Sequence, residues 1–351
     1  MTPIRCIAAI WLLGLSGDLR AQNPSEGFRQ FDRNQDERIT LEEFYQTGPP
    51  PLHPRMRQVF ESFDKEQRGH LSFDDTAKVV ESVRSLQPKL DPAVSGSFED
   101  IALQLHPDSK RAFAKVKVNG VEGTFLVDTG TSDTIVDQDF ARRAKVDFVE
   151  ICMTITGGNY GKKGDFVALV KVPEMEIGGT RFRDFHAVMR DESKKRSDYT
   201  GRIDGILGGN VLFAKPLTLD YRNSRLSFSE DSSRAPEFEF NLLPKYPKVP
   251  VVSAQLDGVD LALMFDSGAA IGDTLLINEP YHAALRKLAG DANAKEYPSK
   301  EVRVEDQPLV SGKRCLLRPF EHSVIGSVYF DGNLITVDKQ SNKIRIRKIA
   351  P

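Results

Sequence analysis

From residue 101 onward, apolar and polar residues alternate in short runs, the period-two pattern of half-buried strands. One run, Val116-Lys117-Val118, meets Asn119-Gly120 and resumes with Val121 and Phe125-Leu126-Val127. Asn-Gly between two such runs predicts a hairpin turn. The pattern returns 138 positions later as Ala254-Gln255-Leu256, Asp257-Gly258, Val259 and Leu263-Met264-Phe265. Both copies end on an acid, a hydroxyl residue and a glycine: Asp128-Thr129-Gly130 and Asp266-Ser267-Gly268. Further on, Ile206-Leu207-Gly208 matches Val324-Ile325-Gly326, and Thr218, Asp220, Leu226 and Phe228 match Thr336, Asp338, Ile344 and Ile346, all 118 apart. The chain therefore carries two copies of one β unit, residues 101–235 and 236–351. The second is shorter between its triplet and its apolar-Gly motif. Each copy closes on a predicted terminal hairpin, Leu217 to Asp220 with Arg225 to Phe228, and Ile335 to Asp338 with Lys343 to Ile346.

Helical spacing interrupts the strands twice. After the first triplet, Asp137 to Val146 predicts a short helix with Phe140, Ala141 and Ala144 on one face. After the second, Asn278 is placed to cap a helix with Pro280 in its first turn, running through Leu285 and Leu288. Residues 24–84 differ in kind, being acidic, aromatic and helical, with Phe28 and Phe31 three apart and a stiff Gly48-Pro49-Pro50-Pro51 connector. Residues 85–100, with Pro88, Pro92 and Gly96 among polar residues, read as a linker.

Within the helical block, Asp32, Asn34, Asp36, Arg38, Thr40 and Glu43 stand at loop places 1, 3, 5, 7, 9 and 12 of a calcium loop. This resembles an EF-hand. The resemblance implies side-chain oxygens from Asp32, Asn34 and Asp36, the carbonyl of Arg38, a direct or water-mediated contact from Thr40 and a bidentate Glu43, all suited to calcium. Glu37 stands where the family has glycine for a positive backbone angle, so strain and weaker binding are expected. A degenerate second loop follows Phe60 and Phe63, with Asp64, Glu66, Arg68, Gly69, His70, Ser72 and Asp75. It keeps the glycine, but cationic Arg68 at the fifth place and short Asp75 at the twelfth disfavour calcium. The plain alternative is a solvated, charged helical hairpin.

At 351 residues the chain has room for two or three units, and a net charge of -2 gives no reason to invoke nucleic acid or an anionic membrane. Arg5 precedes an apolar run from Cys6 to Leu15, too short to span a bilayer, so residues 1–21 read as a secretory signal. That places the mature protein outside the cell or in the periplasm, with no membrane span. Trp11 is the only tryptophan, so cleavage leaves a product without indole. Cys152 and Cys315 then remain; an oxidising compartment permits a bridge between them, but two cysteines do not make a disulfide framework.

Two strand-end carboxylates in duplicate units can face each other, and the triplets resemble those of aspartic proteases of the pepsin and retropepsin type. The resemblance covers roughly residues 101–350. It implies a mainly β fold of two closed lobes related by a pseudo-twofold axis, with a peptide or protein substrate in the cleft. It also implies that Asp128 and Asp266 form the catalytic dyad, that Thr129 and Ser267 bond across the lobes, and that Gly130 and Gly268 permit close backbone approach. Two carboxylates about 3 Å apart hold one proton between them, which suits hydrolysis without a metal or a covalent intermediate. Thr131 is placed to donate its hydroxyl to Asp128, whereas Ala269 at the matching place cannot serve Asp266. Asp128 is therefore the expected charged partner.

Thr156-Gly157-Gly158-Asn159-Tyr160-Gly161 suits a mobile hairpin tip, and in the resembled family a flap lies over the cleft there, with Tyr160 the candidate. The second copy shows no comparable hairpin, so one flap is expected. Both triplets lie in one chain, so dimerisation is not required. Two other readings remain open at this stage: a catalytically silent peptide-binding protein of the same fold, suggested by Ala269-Ala270, and a calcium-dependent interaction protein.

Overall fold

The computed structural model describes residues 32, 34–45, 57, 60, 61, 64, 66–72, 74, 75, 91–98, 100–154, 165–190, 203–229, 235–318 and 322–349. The signal segment 1–21, Phe28, Phe31, Phe63 and the flap candidate Tyr160 lie outside the described residues. The chain divides into two compact units: residues 1–88 with 148–169, and residues 89–147 with 170–351. Among the described residues no helix is long and apolar enough to cross a membrane.

In the first unit, Ile39–Thr40 pairs antiparallel with His70–Leu71, Ile39 opposite Leu71. Ile39 and Leu71 are both buried, and Leu41–Tyr45 forms a short helix directly after the ladder. Phe44 of that helix packs on Phe60 with ring centroids 6.1 Å apart.

The second unit is built from two β halves that repeat one topology. In the first, Ala112–Val118 and Val121–Val127 form the predicted hairpin, turning at Asn119 (φ 49°) and Gly120 (φ 80°). In the second, Val251–Leu256 and Val259–Phe265 do the same, turning at Asp257 (φ 47°) and Gly258 (φ 85°). Positive angles at both central residues give the turn a twist that matches the strands. The apolar-Gly motifs then run parallel to the triplet strands: Leu207 lies opposite Val127 and Ile325 opposite Phe265. Alternation along Ala112–Val118 sends Ala112, Ala114, Val116 and Val118 inward, where Phe125 meets Phe140 edge-on at 5.4 Å.

The terminal hairpins do more than close their own halves. Leu217–Asp220 pairs with Arg225–Ser227, and Asn333–Asp338 with Lys343–Lys348, as expected. The two hairpins also pair with each other, Leu217 opposite Val337 and Leu219 opposite Ile335. Thr218 thus faces its own counterpart Thr336, and their hydroxyls lie 2.9 Å apart. A residue paired with its repeat mate marks the pseudo-twofold axis. Ile101–Leu105 and Phe238–Asn241 extend this shared sheet at its two sides.

The linker and the second helix differ from expectation, while the first helix forms as expected. The linker stretch ends in a strand, Ala93–Gly96, paired with residues 180–183. The first predicted helix is Gln138–Arg143, capped by the Asp137 carboxylate on the N–H groups of Asp139 and Phe140. The second starts late: a 3-10 turn, Glu279–Tyr281, precedes the helix His282–Ala289, and the Asn278 side chain makes no cap bond. Asn278 Oδ1 instead accepts from Ser323 Oγ at 2.8 Å, a tertiary partner that competes with the local one. Leu285 is buried, but Leu288 faces solvent. Cys315 is a buried free thiol whose pKa burial raises to about 11, while the side chain of Cys152 lies outside the described residues.

Candidate active site

Each triplet is held where its strand ends. The Asp128 N–H donates to Leu207 O at 3.2 Å and the Asp266 N–H to Ile325 O at 3.0 Å, so each apolar-Gly strand fixes the start of its neighbour's loop. Past the triplets, Gly209 N–H donates to Thr131 O at 2.7 Å and Ser327 N–H to Ala269 O at 2.9 Å. Glycine is required at the crossing. A Cβ on Gly208 would lie 2.4 Å from the Asp133 carbonyl carbon, and one on Gly326 would lie 2.6 Å from Ala269 O.

The two loops lock together by reciprocal bonds. Thr129 N–H donates to Ser267 Oγ at 3.0 Å, and Ser267 N–H to Thr129 Oγ1 at 2.9 Å. Each hydroxyl also reaches across, Thr129 Oγ1 to Phe265 O at 2.7 Å and Ser267 Oγ to Val127 O at 2.8 Å. Both residues are fully buried, so these four bonds are protected from water and leave no main-chain partner to chance.

This lock brings the carboxylates together. Gly130 N–H donates to Asp128 Oδ1 at 3.0 Å and Gly268 N–H to Asp266 Oδ1 at 2.8 Å. The glycines face the opposing acids: a Cβ on Gly130 would sit 2.4 Å from Asp266 Cγ, and one on Gly268 2.3 Å from Asp128 Cγ. Asp128 and Asp266 share a side-chain hydrogen bond. Asp266 keeps a small exposed surface but is otherwise walled by protein. That burial, then the neighbouring Asp128 charge, pushes its carboxyl well above the ordinary range, against the pull of the Gly268 and Ala269 N–H groups.

Thr131 differs from its expected role. Its hydroxyl makes no bond to Asp128 among the described contacts; its N–H donates to Asp128 O at 3.3 Å and its carbonyl accepts from Gly209. The loop turns so that Thr131 serves through its main chain, as Ala269 does in the other half, where the Ala269 N–H donates to Asp266 O at 3.3 Å.

Residues that sequence reading passed over also brace the loops. Arg111 Nε donates to Gly268 O at 2.8 Å from the opposite half. Lys248 Nζ pairs with Asp133 Oδ1 at 2.6 Å, bracing the first loop from the second half. Asn210 Oδ1 accepts from both N–H and Oγ1 of Thr134, each at 2.8 Å.

With this geometry in place, comparison with known proteins is informative. Residues 114–211 match the family model described as aspartyl protease. The matched stretch carries the first triplet and the first apolar-Gly motif, within a mainly β architecture. Among solved structures, the chain resembles the crystal structure of an aspartic proteinase from Irpex lacteus, at a TM-score of 0.46 and 12% identity over 74% of this chain and 98% of that one. No curated protein matches the chain in sequence. The aspartyl-protease-like half and its repeat together supply the paired acids.

In the other unit, the first acidic loop is closed by its own side chains. Asp32 Oδ1 and Oδ2 accept from the N–H groups of Asp36 and Glu37 at 3.1 and 2.9 Å, and Asp36 Oδ1 accepts from Arg38 N–H at 3.0 Å. Asn34 Oδ1 accepts from Asp36 N–H at 3.0 Å, and Glu43 Oε2 accepts from Thr40 N–H and Oγ1 at 2.9 and 2.8 Å. Glu37 takes φ 63° without being glycine, a strained angle at the place where strain was expected. Among the described residues no three acidic, histidine or cysteine side chains already converge on one point. The donor set is nonetheless all oxygen and suits a hard cation. The second loop does not fit one. The Arg68 guanidinium pairs with Asp75 and lies 3.5 Å from Glu66, so a fixed cation already sits among the acids. Burial raises the Asp75 carboxyl, but hydrogen bonds from Ser72 and Arg68 outweigh it and hold the group below its ordinary value.

Proposed function

We propose that this chain is an aspartic endopeptidase in which Asp128 and Asp266 activate a water molecule against a peptide carbonyl. The observation that carries the reading is the reciprocal lock of Thr129 and Ser267, which sets two hydrogen-bonded carboxyl groups face to face. The aspartyl protease match over residues 114–211 supports a protease-like function. Crowded together, the acids share a proton: the ionised one takes a proton from water while the protonated one donates to the scissile carbonyl. In this reading Asp266, whose carboxyl burial and the neighbouring Asp128 hold above the ordinary range, is the proton donor and Asp128 takes the part of the base. The pair titrates as a unit with apparent constants. Both acids come from one chain, so the reading needs no second copy. Incubation with denatured proteins from acidic to neutral pH should give cleavage that a statine-type transition-state mimic blocks; no mimic-sensitive cleavage at any pH would remove the reading.

The helical unit is read as a module that binds a single calcium ion through Asp32, Asn34, Asp36, the Arg38 carbonyl, Thr40 and Glu43. Calorimetry on the intact chain should find one calcium ion bound, with a Kd on the order of 10⁻⁴ M because Glu37 strains the loop. Binding should vanish in Asp32→Asn with Glu43→Gln. Two bound ions, or unchanged binding in that double variant, would count against it.

Export is proposed on the charge and apolar pattern of residues 1–21. The mature product should show no indole emission, since Trp11 leaves with the signal; tryptophan fluorescence in exported material would contradict cleavage.

A further inference from the structure

The dyad has a neighbour that no step above employs. Tyr221 follows the strand Leu217–Asp220 of the shared sheet, is 1% exposed, and packs its ring on Phe330 with centroids 5.6 Å apart. Its hydroxyl is buried, lies within reach of Ser267 and in the field of Asp266 and Asp128, and no hydrogen bond of good geometry satisfies it. A buried phenol hydroxyl without a partner is costly, so its placement needs a reason.

Counting bonds at Ser267 supplies one. A serine hydroxyl offers one donor and two acceptor lone pairs. Ser267 Oγ spends its donor on Val127 O and one lone pair on Thr129 N–H. One lone pair is left, and the Tyr221 hydroxyl is an unspent donor beside it. The other half lacks this arrangement. Thr129 Oγ1 is equally one acceptor short of full, but Lys339, which takes the place of Tyr221 there, spends its ammonium on Tyr246 O and Val249 O at 2.9 and 2.7 Å.

We propose that Tyr221 is a positioning residue of the dyad, its hydroxyl donating to the open lone pair of Ser267 Oγ and favouring negative charge on Asp266 through the loop it holds. The inference rests on reading Asp128 and Asp266 as the reacting pair. It explains why the two halves, alike in their triplets, present unlike surroundings to their acids. Burial keeps the phenol protonated, so it serves as donor across the working pH range.

The test is Tyr221→Phe, which keeps the ring on Phe330 and removes only the oxygen. Carboxyl carbon NMR of the intact chain should show the upper apparent constant of the dyad rising by about half a pH unit, because a donor favouring the charged form is gone. The alkaline limb of the cleavage profile should move with it while KM stays put. In a Ser267→Ala background the same substitution should shift nothing further, since the acceptor is absent. An unmoved NMR titration in Tyr221→Phe overturns the proposal, even with an altered melting temperature. If the wild-type chain cuts nothing, the protease reading falls while the NMR titration still decides the role of Tyr221.

Discussion

Asp128→Asn and Asp266→Asn should each lower kcat by roughly 10³-fold or more, with KM little changed. Asparagine keeps the shape of the carboxyl and the bonds from the Gly130 or Gly268 N–H, so the lock between Thr129 and Ser267 should survive. What is lost is the shared proton, since one acid cannot serve as base and donor in the same step. The variants should differ in stability, and in a direction fixed by linkage. Asp266 in the folded chain holds its proton to a higher pH than an unfolded carboxyl does. Folding therefore takes up a proton between the ordinary carboxyl range and the raised value, and wild-type stability falls as pH rises through that window. The amide of Asp266→Asn has no proton to lose there. Melting curves at neutral pH should place Asp266→Asn a few degrees above wild type, with the gap closing at low pH. Cleavage retained in both variants would end the dyad reading, and a constant stability gap across pH would contradict the raised carboxyl.

What the chain reveals in one dimension is its local chemistry. The two hairpins were legible because Asn119-Gly120 and Asp257-Gly258 carry the positive angles that the turn demands within their own two residues. The repeat was legible because the same local solution is written twice. Arg111 escaped notice because its partner, Gly268 O, is 157 residues away and nothing near Arg111 signals it. Tyr221 escaped for a related reason: it follows a strand in a place where a buried aromatic is ordinary, and only the packing puts its hydroxyl beside Ser267. Asn278 shows the opposite failure, in which a sound local expectation lost to a tertiary partner, Ser323, and Thr131 meets Gly209 through its carbonyl instead of Asp128 through its hydroxyl. The pairing of Thr218 with Thr336 could not be read at all. Matching positions in a repeat show that two hairpins are alike, but only the shared sheet shows that they touch.

Gly268→Ala should abolish most activity and destabilise the chain, and it separates steric need for glycine from conformational need. Its added methyl would lie 2.3 Å from Asp128 Cγ and 2.5 and 2.7 Å from the two carboxyl oxygens. Gly130→Ala meets Asp266 in the same way, at 2.4 Å from Cγ. Real Cβ contacts stay beyond about 3 Å, so the carboxylate must swing away or the two halves must part. The carboxylate is tied by its own loop and the halves by four buried bonds, so neither can give without loss. Overpacking of this kind costs about 1–3 kcal/mol, and a displacement of about 1 Å at the reacting groups costs roughly 10²-fold in rate. Gly258→Ala is the matched control: Gly258 sits at φ 85° with open space around its Cβ position. Alanine there is strained by about 1–2 kcal/mol in the backbone alone, with nothing within 4 Å of the added methyl. The control should lose comparable stability and keep its kcat, whereas the triplet variants lose both. Equal kcat losses in Gly258→Ala and Gly268→Ala would mean that activity merely follows stability, and that the close approach of each glycine to the opposite acid has no part in catalysis.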